Sequence, residues 1–186
     1  MKSVSLLLVL ALTACTGEFK NGETQFENDS FQHNSERKIN GLTRAEIGRM
    51  FQGGILVTPD LVAAPDDYFE LIVDGGGIPS FRRYHFYFKD AINACKTITI
   101  NGYNDWRVPT RNELKQLYNY YCLTDANGYR LAKNFATWAY WSSEQFDDYN
   151  GWRLDFSDGG RWRRATIYSY ENELHKARVR FVRNIK

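Results

Sequence analysis

Short apolar runs bounded by glycine and polar residues recur along the chain and predict a series of strands. Residues 55–57 follow a Gly-Gly pair and predict a first strand, and residues 68–73 and 84–88 predict two more. Three glycines at 75–77 lie between the last two and lack the spacing of a phosphate-binding loop. This part of the chain is therefore expected to be mainly strand.

Capping signals and apolar residues three or four positions apart predict the helices. Thr43 and Glu46 have the spacing of a capping box for a short helix, and residues 89–96 predict another. Thr110 and Glu113 begin the clearest helix, which ends near Cys122. Its apolar side chains recur at helical spacing: Leu114, Leu117, Tyr118 and Tyr121.

The C-terminal third predicts strands and a hairpin. Residues 140–143 form one candidate strand, residues 152–157 and 161–167 flank the turn signal Asp-Gly-Gly, and residues 178–183 alternate as a last strand with Val179 and Phe181 inward. A two-residue Gly159-Gly160 loop predicts three cross-strand pairs: Trp152 with Ile167, Leu154 with Ala165, and Asp155 with Arg164. In that register Trp162 points outward, on the same side as Arg153, Ser157 and Arg164.

The N-terminus has the order of an export signal. Lys2 precedes an apolar run at 4–12 that is too short to span a bilayer. Residues 12–15 (LTAC) resemble the bacterial lipobox, which implies cleavage after residue 14 and a lipid on Cys15. Thr16 is not Asp, so in a cell with two membranes the resemblance implies transport to the outer membrane. Polar residues 15–48 are expected to form a flexible tether to a domain at 49–186.

Chain length, charge distribution and cysteine content further restrict the class of protein. A mature chain of this length suits one domain, and its many Tyr and Trp residues favour a strand-rich or mixed fold. Residues 15–81 hold five Lys/Arg and eleven Asp/Glu, whereas residues 151–186 hold nine and four, so the C-terminal end is basic. With Cys15 assigned to lipid, an oxidising compartment predicts a disulfide between Cys95 and Cys122.

An ordered set of motifs resembles the C-terminal domain family of the Legionella collagen-like adhesin, over about residues 53–186. The motifs are 104–110 (NDWRVPT), 113–114 (EL), 140–144 (YWSSE), Trp152, Phe156, Gly159 and 179–183 (VRFVR). The resemblance implies an α+β, C-type-lectin-like fold with two helices, a small antiparallel sheet and long loops. In the adhesin, such a domain is associated with sulfated glycans and host surfaces.

Two departures limit the carry-over from this family. Many members have a cysteine where Phe181 stands here, so their disulfide is not carried over and Cys122 is its candidate replacement. The Glu-Pro-Asn ligand triplet of sugar-binding C-type lectins is missing, and Asp147 with Asp148 does not make a calcium site alone. We therefore expect no metal and no cofactor.

The candidate site residues divide into a structural and a ligand-binding group. Bulky or rigid motif residues are expected to be structural: Trp106, Arg107, Pro109, Trp141 and Trp152. A cluster on the predicted hairpin is the candidate ligand-binding surface: Arg153, Arg161, Trp162, Arg163 and Arg164. Guanidinium groups pair with sulfate or carboxylate, and an indole packs on a sugar ring, so the ligand predicted is an anionic glycan or a protein. Nucleic acid is not expected as a partner of an exported lipoprotein.

No arrangement of residues predicts catalysis. His33, His85 and His175 have no metal-ligand spacing, and Cys95 and Cys122 lack the neighbours of reactive thiols. The preferred hypothesis is a ligand-binding, adhesin-like module on a lipoprotein of the bacterial cell envelope, expected at the outer membrane. The alternatives are a structural envelope lipoprotein that docks on a membrane complex, and an enzyme.

Overall fold

The computed structural model describes residues 46–73, 77, 79–125, 127–132, 134–168 and 175–185. The predicted signal, Cys15 and the tether up to residue 45 lie outside the described residues. The same holds for Thr43 of the first predicted helix, and for Gly75 and Gly76.

Two helices and three small antiparallel sheets make up the regular structure of the described residues, so the α+β class is confirmed. In chain order the elements are β1 (Met50–Phe51), β2 (Gly54–Thr58), β3 (Leu61–Ala63), β4 (Glu70–Val73), β5 (Pro79–Arg83), α1 (Phe88–Ala94), α2 (Arg111–Cys122), β6 (Ala139–Gln145), β7 (Asn150–Asp155), β8 (Arg161–Thr166) and β9 (Val182–Asn184). The sheets have the strand orders β1-β2-β3-β9, β4-β5 and β6-β7-β8.

Helix α2 begins as its capping signal predicts. The Glu113 backbone N–H donates to Thr110 Oγ1 at 3.3 Å, and the Thr110 N–H donates to Glu113 Oε2 at 2.8 Å. These bonds satisfy two donors that the first turn of a helix leaves without partners. The four apolar residues predicted for its inner face are all buried: Leu114, Leu117, Tyr118 and Tyr121.

Two predicted strands are corrected. Residues 84–88 do not form a strand, because β5 ends at Arg83, Phe86 makes only an isolated bridge with Ala177, and α1 begins at Phe88. The last strand, predicted at 178–183, is the shorter β9, which begins only at Val182. Val179 and Phe181 precede it and are buried, as predicted. Their neighbours Arg180 and Arg183 are buried too, so this segment is enclosed on both sides.

The core consists of two hydrophobic clusters. The first contains Phe86, Phe88, Trp106, Trp141 and Phe181 among its larger members. The second covers the buried face of α2 and joins it to the third sheet through Tyr140, Leu154 and Phe156. Packing of this kind places the β7–β8 hairpin directly beside α2.

The hairpin exists, but its predicted register is wrong. Trp152 is opposite Arg164, Leu154 is opposite Trp162, and Asp155 is opposite Arg161. The turn spans residues 156–160 instead of two glycines, because Phe156 leaves the strand and is buried in the second cluster. Gly160 has a φ of +71°, and a Cβ there would lie 2.5 Å from the Tyr118 ring, so glycine is required.

The predicted Cys95–Cys122 disulfide is not formed in the structure. Cys95 packs against the first cluster and its Sγ donates to the carbonyl oxygen of Ile92 at 3.0 Å. Cys122 packs against the second cluster. The two thiols therefore belong to different parts of the core.

Candidate functional site

The hairpin divides the predicted ligand-binding residues between two faces. Directly opposite residues of an antiparallel pair share a face, so Trp152 and Arg164 lie on the same side as Leu154 and Trp162. Three other predicted residues lie on the opposite side: Arg153, Arg161 and Arg163. The corrected register thus separates a basic set that had been expected to act together.

On the second side the arginines are engaged within the domain. Arg163 pairs with Asp155 at 3.1 Å and with Asp158 at 2.6 Å, and Arg161 lies 3.2 Å from Asp158. Half-buried Arg153 donates to the backbone carbonyl of Lys176 at 3.0 Å. Burial raises the pKa of Asp155, but hydrogen bonds from Ser157 and Arg163 outweigh burial and the net pKa is lowered. Arg161 and Arg163 are therefore paired with aspartates, and Arg153 is engaged by a backbone carbonyl.

On the first side, three aromatic rings and two guanidinium groups pack together, and neither guanidinium forms an ion pair with a described carboxylate. This aromatic–arginine face consists of Arg111, Phe146, Trp152, Trp162 and Arg164. The Arg111 Cζ lies 4.3 Å from the centroid of Trp152 and 4.8 Å from that of Trp162, and the Arg164 Cζ lies 4.5 Å from that of Phe146. Trp152 contacts the other two rings edge-on, with centroids 5.0 Å and 6.2 Å away. The rings hold the cations in fixed positions.

Arg111 stands where a helix does not favour a cation. It is the first residue of α2, at the positive end of the helix dipole, where acidic side chains are the stabilising choice. Its side-chain Nε is buried and has no hydrogen-bond partner, and no described carboxylate is within ion-pair distance of its guanidinium. Because Glu113 and Glu144 accept backbone N–H groups at this terminus, the Arg111 guanidinium is the positive group that remains at the face.

Two acidic residues border the aromatic–arginine face and are engaged by backbone amides. Glu144 Oε1 accepts the Arg111 N–H at 2.8 Å. Asp147 accepts the backbone N–H groups of Tyr149 and Asn150, at 2.8 Å and 2.7 Å. These bonds and, to a smaller extent, the charge of Arg164 lower the pKa of Asp147. Asp147 thus stabilises its own turn, whereas Glu144 of β6 binds the first residue of α2.

The residues predicted to be structural occupy several environments. Trp106 and Trp141 are buried, and the Trp141 Nε1–H donates to the Phe86 carbonyl at 2.8 Å. Arg107 binds both Glu113 oxygens at 2.6 Å, and the Pro109 carbonyl accepts the Ser143 N–H at 2.7 Å. Trp152 is only half-buried and belongs to the aromatic–arginine face.

Sequence reasoning missed Arg111 and the buried arginines of the last segment. Arg180 pairs with Asp67, which also accepts bonds from Arg178 and from the Tyr140 hydroxyl. Arg183 forms a fork with Asp105, with nitrogen–oxygen distances of 2.7 Å and 3.2 Å. The alternation of apolar and polar residues in the last segment does not reveal that both sides of it are buried. For Arg111 the sequence did contain a signal, because a cation directly after the capping residue Thr110 is unfavourable at a helix N-terminus.

The described residues offer neither a membrane-spanning helix nor a metal-binding cluster. None of their helices is long and apolar enough to cross a membrane. Within the same residues, no group of three or more His, Cys, Asp and Glu side chains could hold a metal ion. His85 packs against Trp138 with ring centroids 4.9 Å apart and the ring planes tilted by 35°, and His33 lies outside the described part.

Comparison with known proteins identifies the family. The sequence model of the Lcl C-terminal domain family matches residues 69–183, which is more than half of the chain. No curated protein matches the chain. The matched region includes both helices, the β6-β7-β8 sheet and every residue of the aromatic–arginine face. The chain therefore belongs to the Lcl C-terminal domain family, as the motifs predicted.

Proposed function

We propose that this protein is a ligand-binding, adhesin-like module of the bacterial surface, and that its aromatic–arginine face binds an anionic glycan or an acidic protein surface. One observation carries the proposal. Arg111 and Arg164 are held against aromatic rings, and no described carboxylate is within ion-pair distance of either guanidinium. Arg161 and Arg163, on the other side of the same hairpin, are both paired with aspartates. Stacked guanidinium groups keep in-plane donors for sulfate or carboxylate.

The proposal includes a C-type-lectin-like arrangement. Two helices, small antiparallel sheets and long connections agree with that fold. Family membership supports the adhesin-like role, and the domain is proposed to bind its ligand without catalysing a reaction.

The location proposed for the domain comes from the N-terminal sequence. Residues 1–14 are proposed to be a cleaved signal, Cys15 the lipid-bearing residue, and residues 15–48 a tether that holds the domain at 49–186 off the outer membrane. Loss of radiolabelled palmitate in a Cys15→Ser variant tests the anchor, and unchanged labelling would contradict it.

Heparin binding by two matched double variants tests the ligand-binding face. Arg111→Gln with Arg164→Gln removes two charges from the aromatic–arginine face, and Arg161→Gln with Arg163→Gln removes two from the opposite side. We expect the first pair to weaken heparin affinity by about ten-fold or more, because each lost guanidinium removes charge-assisted bonds. The second pair should retain most of the affinity.

Three results would count against the proposed face. Equal losses of heparin affinity in both double variants would show that binding depends only on the net charge of the domain. Binding that does not weaken as salt is added would exclude an electrostatic contact. Absence of heparin binding, together with copurification of envelope proteins, would favour the structural envelope lipoprotein instead.

A further inference from the structure

A second candidate site lies in a cleft that shares no residue with the aromatic–arginine face. The cleft has a volume of about 460 Å³ and lies between the β4–β5 hairpin and the loop at 134–136. Its lining includes Asp66, Arg82 and Arg178. A volume of this size is in the range of small-molecule sites.

Arg178 is held in a fixed orientation at the cleft. Its Nη1 donates to Asp67 Oδ2 at 3.0 Å, and its Cζ lies 4.8 Å from the centroid of Tyr84. Asp67 is itself buried and also binds Arg180 and the Tyr140 hydroxyl. The Arg178 side chain remains 21% exposed. Both Asp67 oxygens accept hydrogen bonds, so this carboxylate holds Arg178 in place. The Arg178 guanidinium still lines the cleft.

Arg82 supplies a second guanidinium. Its side chain is exposed and its Cζ lies 4.5 Å from the centroid of Phe69. The nearby carboxylate of Glu70 is taken by Arg83, and no described carboxylate is within ion-pair distance of Arg82. Since stacking uses the face of a guanidinium, its in-plane donors stay available to a planar acceptor.

An unneutralised acceptor lies in the same lining. Asp66 is exposed, and no described cation is within ion-pair distance of its carboxylate. The lining holds two arginines and two aspartates. Because Asp67 is already bonded to Arg178 and to the buried Arg180, Arg82 is left to hold a carboxylate and Asp66 to accept hydroxyl groups. The aromatic walls Phe69 and Phe135 suit an apolar ring face.

We propose that the cleft binds a sugar acid. Its carboxylate lies between Arg82 and Arg178, its hydroxyl groups donate to Asp66, and its ring packs on the aromatic walls. The inference does not depend on the proposed function, because the two sites use different residues and different probes.

Titration of the full chain with glucuronate, observed through the arginine Nε–Hε signals in NMR spectra, tests the site. We expect the signals of Arg82 and Arg178 to shift with saturation, and uncharged glucose to bind about ten-fold more weakly because it lacks the carboxylate. The Arg111 and Arg164 signals should not move.

Three variants complete the test. Arg82→Gln is expected to weaken glucuronate binding about five-fold or more, while Arg49→Gln, an exposed arginine outside the cleft, should leave it unchanged. Arg178→Lys keeps the positive charge but loses the forked guanidinium donors, so it should weaken glucuronate binding. Its unfolding curve checks that this variant is folded. Equal binding of glucuronate and glucose, equal affinities of Arg82→Gln and Arg49→Gln, or no saturable shift would overturn the proposal.

Discussion

At the scale of single residues, buried ion pairs organise this domain. Arg180 is fully buried, with its Nε 2.9 Å from Asp67 Oδ1 and its Nη1 2.9 Å from the Ala64 carbonyl. Its Cζ lies 4.0 Å from the Phe135 ring centroid. A buried pair of this kind stabilises the fold only while both charges are present, because a single buried charge has lost its hydration.

Replacement of Arg180 by Met should therefore destabilise the protein strongly. Removal of one partner of a buried pair costs about 3–5 kcal/mol of unfolding free energy, measurable by urea denaturation. As a control, Arg161→Ala breaks an exposed pair with Asp158 and should cost about 0–1 kcal/mol. Similar losses in the two variants would show that Arg178 alone neutralises Asp67.

Glu113 makes stability depend on acid pH. Burial raises the pKa of its carboxyl, but the bonds from Arg107 and Thr110 and the charge of Arg107 outweigh burial, so the net pKa is lowered. A carboxyl with a lowered folded-state pKa contributes stability above its ordinary pKa, and that contribution is lost as the pH falls through the folded-state value.

Glu113→Gln is thus expected to be less stable than the parent at neutral pH, and the difference should shrink at about pH 3. Urea unfolding at the two pH values measures the change. Arg107→Met provides the control, since the pH dependence due to Glu113 should become smaller without its partner. A difference that grows on acidification would refute this role of Glu113.

At the scale of elements, close packing of α1 against β7 determines the position of the hairpin. A Cβ on Gly151 would lie 2.5 Å from Cδ2 of Phe88, a buried residue of α1. The same strand carries Trp152, whose ring belongs to the aromatic–arginine face. The absence of a side chain at Gly151 therefore lets β7 lie against α1.

Gly151→Ala should destabilise the protein by about 1–3 kcal/mol through overpacking, as read from thermal or urea unfolding. In a Phe88→Leu background, the smaller side chain leaves room, so the additional loss from Gly151→Ala should be lower. Strictly additive losses in the double variant would argue against direct contact between these positions.

At the scale of the whole molecule, two hydrophobic clusters and the charged networks of the last segment hold the described part together without a cross-link. Cys95 and Cys122 belong to different clusters and are not bonded to each other. Arg107 on the segment before α2 contacts Asn184 of β9, which links the first sheet to α2. Stability is therefore expected to be independent of thiol oxidation state.

Unfolding temperatures with and without reductant test this expectation and should coincide. Iodoacetamide added to unreduced, unfolded protein should label both Cys95 and Cys122, as located by peptide mass spectrometry. Labelling that requires prior reduction would establish the disulfide that the structure lacks.

Local signals in the sequence determined much of the architecture. The capping box at Thr110 and Glu113, the apolar spacing of α2 and the turn signal near Gly159 act over a few residues, so they can be read without the fold. The order of motifs also identified the family.

Only the tertiary structure decided the register and the site. Phe156 is buried in the core, so the hairpin loop is longer than predicted. In the resulting register Trp162 lies beside Trp152, and Asp155 pairs with Arg163 instead of Arg164. Arg111 is remote from the hairpin in sequence and reaches it only because α2 packs against β7. Burial and long-range contacts arise from the assembled core, and a pattern of neighbouring residues does not contain them.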